Sequence, residues 1–502
     1  MRRFSVILMA SVLLPGLDGS PASAADPSRV PRGRRCAVTN SGCASRSAAQ
    51  GGQAVDPATG VLNALISGLG DKDPVRDKAI TALIEIGPAA VPALKEALVK
   101  KDRRVREGAA IALGEIGPKA RAAVPALAKV FDDKDADVRL RAVCALGQIG
   151  EKSAIPFLIQ FLNKDGNADV RRYAASWLGA FGPAAKDAVP ALVETVKEGY
   201  NLEKSLERLD LGMPLPTTSG WIAARGLSDR AGIALVKIGA PAVPGIVTLL
   251  KGQNEDHIEY AAWILEQMGS KAKAAVPELA KHLTDEKGDV RERVAESLGR
   301  IGPEARAALP MLAKAMKDSE WKVRVRAAAA MIQIDPKSPK AFAVLIDALK
   351  DKNKDMRESA AQALGEIGEE AEPAVPALAV ALSDKDASVR SAAVHSLYHI
   401  GPRAKAAAPA LAAALKDKSV GLRRMAAITL SDFPDDEGSV PALIEALTDE
   451  YAEVRDFAAI GLGERGKKAK AAIPALTKAL KDPNKLVRKH AAIAIEIIQR
   501  ME

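Results

Sequence analysis

The chain has 502 residues, a formal net charge of +9 and a 48% hydrophobic share, yet aromatic residues make up only 3% of it. So much alanine and leucine with so few aromatic side chains excludes a β-sandwich or barrel and favours closely packed helices. Charged residues at 27% exclude a membrane-embedded bundle, and the apolar share is too high for a wholly disordered chain.

Residues 1–25 read as an export signal. Arg2 and Arg3 form the positive start, Phe4 to Leu14 an apolar core closed by Pro15, and Ala22, Ser23, Ala24 and Ala25 a small-residue cleavage region. The apolar run falls short of the roughly 18 residues of a membrane span. On this reading the mature chain has no transmembrane segment and is periplasmic or extracellular. Residues 26–56 read as a flexible Ser-, Gly- and Ala-rich tether, made basic by Arg29, Arg32, Arg34, Arg35 and Arg46. Cys36 and Cys43 lie in it, close enough in sequence to form a loop after export or to stay free. Cys144 sits among Val143, Ala145 and Leu146 and reads as a small buried hydrophobe.

From about residue 57 the chain repeats itself. A Val-Arg step marks nine units, at Val75-Arg76, Val105-Arg106, Val138-Arg139, Val170-Arg171, Val290-Arg291, Val323-Arg324, Val389-Arg390, Val454-Arg455 and Val487-Arg488. Degenerate steps at Leu227-Ser228, Ile258-Glu259, Met356-Arg357 and Val420-Gly421 bring the marks to thirteen, mostly 30–34 residues apart. A proline, as in Val124-Pro125-Ala126-Leu127, opens the first helix of nearly every unit, where the first N–H groups lack partners anyway. The second helix runs from the Val-Arg step, as from Val138 to Ile149. Acids such as Asp135 and Asp137 cap its start, and a Gly-Pro step ends it. Gly114 and Gly147 lie inside such helices, as a close neighbouring helix would require.

A helix pair this short cannot bury its own apolar stripe, so the pairs must stack into an α-α superhelix. The Asp-x-x-Val-Arg turn, the Ala-Leu-Gly-x-Ile-Gly helix end and the Val-Pro-Ala-Leu helix start resemble the HEAT-repeat family, in particular the short bacterial form also found in phycobilin lyases. The resemblance covers about residues 57–500. It implies an all-α, right-handed, HEAT-like solenoid of about 13 helix pairs. It also implies that Arg106, Arg139, Arg171 and Arg324 join a structural ladder, with Asp102, Asp135 and Asp137 as candidate partners. Ser228, Glu259 and Gly421 depart from the pattern, and the ladder should weaken there.

The largest irregularity is the 57-residue interval between Val170 and Leu227. It divides the array into repeats 1–4 (57–198), an insertion (199–226) and repeats 5–13 (227–502). Leu202, Leu206, Leu209 and Leu211 give the insertion a short apolar helix face, followed by a loop from Gly212 to Gly220. Tyr200, Met213 and Trp221 make it a candidate partner-binding element, although it would equally serve as a plug between imperfect repeats. Tyr173 with Trp177, and Tyr260 with Trp263, flank it and extend the candidate patch or belong to the core. A second candidate is a basic C-terminal cap containing Lys467, Lys468, Lys470, Lys485, Arg488 and Lys489, with Arg465 counted among its charges, which suits an anionic surface or simple solubility.

No catalytic, cofactor-binding or metal site stands out. His395 and His399 are four apart, but Ser396 stands where a zinc hydrolase carries its glutamate. No phosphate loop and no nucleophile elbow occur. The expected role is a non-catalytic scaffold or recognition module for another protein. The alternatives are a repeat-array enzyme resembling a phycobilin lyase, and an envelope-attached protein binding an anionic polymer. Nucleic acid is not an expected partner.

Overall fold

The computed structural model describes residues 57–207 and 219–500. They form helix pairs, with no strand among the described residues. The chain divides into two compact units, one ending at Lys237 and the other starting at Ile238.

In the first unit the helices are α1 (Pro57–Gly68), α2 (Val75–Ile86), α3 (Val91–Ala97), α4 (Arg103–Ile116), α5 (Val124–Lys129), α6 (Ala136–Ile149), α7 (Ile155–Lys164), α8 (Ala168–Ala180), α9 (Val189–Glu207) and α10 (Ser219–Ile238). The second unit holds α11 (Val243–Leu250), α12 (Glu255–Met268), α13 (Val276–Lys281), α14 (Gly288–Ile301), α15 (Leu309–Ala315), α16 (Trp321–Ile334), α17 (Pro339–Ala348), α18 (Lys354–Ile367), α19 (Val375–Ala381), α20 (Ala387–Ile400), α21 (Ala408–Ala414), α22 (Val420–Ser431), α23 (Val440–Ala446), α24 (Ala452–Glu464), α25 (Ile473–Ala479) and α26 (Lys485–Arg500). Odd numbers are the first helices and even numbers the second helices, thirteen pairs in all among the described residues.

The local chemistry sets these boundaries. Asp135 accepts the amides of Asp137 and Val138 and starts α6; Asn167 does the same for α8. At the other end Gly117 has φ 66 and ψ −140, a conformation that needs glycine, and it turns the chain into a 3-10 stretch ending at Ala123. Gly150 takes the true left-handed cap, with φ 69 and ψ 13. Pro125 then stands in the first turn of α5, where a missing N–H costs nothing.

Leucine and alanine fill the core: Leu94, Leu127, Leu158 and Leu192 on first helices and Ala109, Ala142 and Ala174 on second helices are fully buried. Second helices touch closely at one recurring position. A Cβ on Gly114 would lie 3.0 Å from the Ala145 Cα, and one on Gly299 would lie 2.9 Å from the Ala330 Cα. Gly147 leaves room for the indole of Trp177. Cys144 is buried, which pushes its thiol above the usual range. Residues 1–56, with the expected signal, tether, Cys36 and Cys43, lie outside the described residues. Among the described residues no single helix is long and apolar enough to cross a membrane.

Candidate functional site

Each unit carries a ladder of arginines along its turns. In the first unit Arg106 grips both carboxylate oxygens of Asp133, Arg139 grips those of Asp165, and Arg171 donates to Glu198 at 2.6 Å. In the second unit the rungs are Arg291 to Asp318, Arg357 to Asp384, Arg390 to Asp417, Arg423 to Asp449 and Arg455 to Asp482. The same arginine also donates through Nη1 to carbonyls of its own turn, as Arg357 does to Asp351 and Lys352. One guanidinium therefore ties its own turn to the next repeat, with the bidentate geometry that Arg suits.

The acid partner differs from the expected ones. Asp102 and Asp135 cap their own helices, while the rung falls on the residue two before the cap, such as Asp133. That acid also accepts the amide two residues on, from Asp135 to Asp133 and from Asp386 to Asp384. Arg103, rather than a ladder arginine, reaches Asp135 and Asp137. Arg324 bonds the carbonyls of Asp318 and Ser319, and Asp351 accepts the Asn353 amide.

Two of the degenerate marks are out of register. The amide of Arg423 bonds the carbonyl of the cap Ser419, as Arg390 bonds Asp386, so the step is Leu422-Arg423 and the ladder does not weaken at Gly421. By the same rule Ile258, bonded to the cap Asn254, takes the arginine position, and Glu259 is one residue further on. Two arginines are thus replaced in succession, by Ser228 and Ile258. Ser228 is buried and donates to the Thr195 carbonyl.

The aromatic residues separate. Trp177 and Tyr260 are buried and belong to the core, while Tyr173 and Trp263 are half-buried. Tyr260 stacks on Trp263 with ring centroids 5.3 Å apart. Tyr200 lies on α9 and Trp221 on α10. Met213, Leu209 and Leu211 lie outside the described residues.

The residues of the expected basic cap come from two elements. Lys467, Lys468 and Lys470 lie in the 3-10 stretch Gly466–Ala472 before α25, whereas Lys485, Arg488 and Lys489 lie at the start of α26. Lys468 pairs with Asp435 at 2.8 Å. Arg465 is not a surface charge at all. It is buried and donates to the carbonyls of Asp436, Gly461 and Leu430 and to the Ser439 hydroxyl. Burial lowers its pKa, against the pull of Asp436.

His395 Nδ1 lies 2.7 Å from the Ser391 carbonyl. Among the described residues no group of three metal-ligating side chains comes together.

The sequence reading missed a charged surface along the second helices α12, α14, α16 and α18. Positions four or seven apart share a helix face. Glu259 and Glu266 share one on α12, Glu292 and Glu296 one on α14, and Arg293 and Arg300 one beside it. Arg293 bonds Glu296 at 2.9 Å and approaches Glu266 at 3.6 Å. Arg300 on α14 reaches Glu366 on α18 at 3.2 Å, passing across α16, from which Arg326 also approaches Glu366. Burial raises the pKa of Glu259, Glu266 and Glu292, with neighbouring acids adding to the effect. Burial opposes the charge of Arg326, but Glu296, Glu366 and Glu292 outweigh it and hold the guanidinium protonated. Glu266 occupies the helix position that Gly299 and Gly365 fill in later repeats, which explains its burial.

Comparison with solved structures returns the same architecture. Kap121p bound to Ste12p matches with a TM-score of 0.57 at 16% identity, covering 89% of this chain and 50% of that one. Kap121p bound to the SUMO protease Ulp1p matches at 0.56 and 16%, covering 88% and 49%. Importin beta matches at 0.52 and 13%, covering 86% and 65%. The chain thus spans about half the length of the Kap121p structures it matches. No curated protein matches the sequence significantly.

The matched structures are karyopherins and importin beta, and the expected periplasmic or extracellular location is withdrawn. The narrower likeness to short bacterial repeats and phycobilin lyases does not appear among them. The family model for HEAT repeats matches residues 62–138, 124–203, 243–330, 309–397, 371–431 and 440–501. Its successive matches follow the same helix pairs that the ladder arginines join, and the chain belongs to the HEAT-repeat family.

Proposed function

We propose that the chain is a non-catalytic scaffold that binds a segment of another protein across the exposed face of α12, α14, α16 and α18, and that this segment presents lysine or arginine. The observation that carries the reading is the charge balance of that face. Glu259, Glu266, Glu292, Glu296 and Glu366 share Arg293, Arg300 and Arg326, and burial holds three of the carboxylates above their usual pKa. A cationic side chain entering the cluster would relieve this repulsion and favour the ionised carboxylates. The likeness to karyopherin structures bound to other proteins supports a protein partner. Trp263, half-buried on α12, would add an apolar contact.

The test is fluorescence anisotropy with labelled peptides, one Lys- and Arg-rich and one Asp- and Glu-rich. The basic peptide should bind more tightly, and its binding should weaken with added salt. Combining Glu259→Gln, Glu292→Gln and Glu366→Gln should weaken it roughly tenfold or more. Equal binding of both peptides, or binding indifferent to the three substitutions, would remove the reading.

A further inference from the structure

One turn of the second unit departs from the ladder pattern at two positions together. Where other repeats of that unit carry Arg291, Arg357, Arg390, Arg423 and Arg455, α12 carries Ile258, which is buried. The acid that such an arginine would grip is Asp285, six before Arg291 as Asp384 is six before Arg390. Three residues before the acid, the other repeats hold a small buried residue, Ala315, Ala348, Ala381, Ala414 or Ala446, each between 1 and 7% exposed. Here that position holds His282. A guanidinium is lost from this turn and an imidazole is gained.

The imidazole lies against the acid that lost its arginine. His282 Nδ1 is 3.5 Å from Asp285 Oδ2, and the two side chains are only 16% and 19% exposed. The other oxygen of Asp285 accepts the Lys287 amide at 3.1 Å, which aims the carboxylate. At that separation a neutral ring makes a weak contact, whereas a protonated ring makes an ion pair. His282 Nε2 is buried and has no hydrogen-bond partner among the described residues.

The nearest cations are committed elsewhere. On α13, Lys281 bonds Glu278 at 2.9 Å, and in the turn Lys287 pairs with Glu255 of α12. Arg291 of α14 donates through Nη1 to the carbonyls of Asp285 and Glu286 and spends Nε and Nη2 on Asp318. Lys314 of α15, Glu286 and Asp289 point to solvent. Glu278 lies one helical turn before His282. Lys281, Lys251 and the charge on His282 hold its carboxyl below the usual range against burial. Two acids, Asp285 and Glu278, thus stand beside the ring.

We propose that His282 stands in for the missing arginine with a charge that depends on pH, so that the α13–α14 turn closes on Asp285 in mild acid and loosens at neutral and alkaline pH. Histidine changes charge between about pH 5 and 8, where carboxylates stay ionised and arginines stay protonated. A rung such as Arg357 with Asp384 keeps both charges across that range, because each partner strengthens the other's charged form. The switching turn leads directly into α14, which carries Glu292, Arg293, Glu296 and Arg300.

The test is hydrogen exchange of the full chain at about pH 6 and about pH 8, read as protection factors so that the intrinsic pH dependence of exchange is removed. The Lys287 amide reports on Asp285, and the Asp386 amide, held by Asp384, is the control within the same chain. Protection at Lys287 should be about threefold or more higher at the lower pH, with Asp386 unchanged. His282→Gln should keep Lys287 at the lower level at both values, which also separates His282 from His257 on α12. Ile258→Arg combined with His282→Ala rebuilds the pair found in the other repeats and should give high protection at both. Equal Lys287 protection at the two pH values in the wild-type chain would overturn the proposal, whether or not the variants fold. So would a rise that survives in His282→Gln.

Discussion

Arg357 holds Asp384 with Nε at 2.7 Å and Nη2 at 2.9 Å, while its Nη1 donates to the carbonyls of Asp351 and Lys352. Both side chains are mostly buried, so neither charge is left to solvent. Removing Asp384 leaves the buried guanidinium with Asp386, at 2.6 Å, as its carboxylate partner. Asp384→Ala is therefore expected to cost roughly 1–3 kcal/mol in denaturant unfolding, more than an exposed pair such as Arg103 with Asp137. Equal costs at the two places would show that the ladder is not what joins the repeats.

Acid should dissolve the ladder. Arg357 and the Asp386 amide hold Asp384 below the usual carboxylate range against burial, and Arg455 does the same for Asp482. At Asp133 and Asp318 burial pushes the other way and Arg106 or Arg291 prevails. A depressed pKa gives stability that is fully present above the unfolded value, here 3.8, and is lost as pH falls through the folded value. Melting temperature should therefore fall steeply below about pH 4. Asp384→Asn should flatten part of that slope.

Glu266 carries the opposite sign. Its pKa is raised by burial and by Glu296, so the folded chain binds its proton more tightly than the unfolded chain does. It costs stability as pH rises from the ordinary carboxylate value of 4.5 through its folded value. Glu266→Gln should stabilise the chain at pH 7 and weaken binding of a basic peptide. A destabilised variant would mean that Arg293 compensates the carboxylate fully.

The recurrent glycine tests helix contact against helix propensity. Alanine is the better helix former by about 1 kcal/mol. At Gly299, however, its Cβ would meet the Ala330 Cα at 2.9 Å, and backbone atoms must shift. Overpacking of this kind costs about 1–3 kcal/mol, so Gly299→Ala should destabilise overall. Gly60, with nothing within 4 Å, should tolerate or gain from the same change.

Local stability should follow the rungs. Ile258 gives no guanidinium to Asp285, although Asp285 still accepts the Lys287 amide. In hydrogen exchange the Lys287 amide should lose protection sooner than the Asp386 amide, whose acceptor Asp384 is clamped by Arg357. Equal protection would show that a rung adds nothing to the turn it reaches.

The fold was readable because each repeat restates the same local signals, a proline at one helix start, an acid cap at the other and a glycine stop. Register was readable where the arginine was present, as at Met356-Arg357, and slipped at Ile258-Glu259 and Val420-Gly421. At Val420-Gly421 the cap Ser419 was the better guide, since counting four residues from it reaches Arg423. The rung acid was hidden because Asp133 and Asp135 look alike in sequence, and only the direction of each carboxylate separates rung from cap. Arg465 resembled its basic neighbours because nothing local shows that it replaces the apolar residue ending a second helix. The Glu266 cluster was beyond reach for a different reason. Its members come from helices about 33 residues apart, and their shared face exists only once the repeats stack.

The central claim is that a protein partner lies against the second-helix face of α12 to α18. The direct measurement is site-specific photo-crosslinking of the full chain in its own cells, with the reactive group at Glu292 or, as control, at exposed Lys314 on the first helix α15. A partner joined through position 292 and not through 314, and lost when Glu259 and Glu366 become glutamine, is the expected result. Crosslinks formed equally from both positions, or none from 292 while 314 captures a partner, would contradict it.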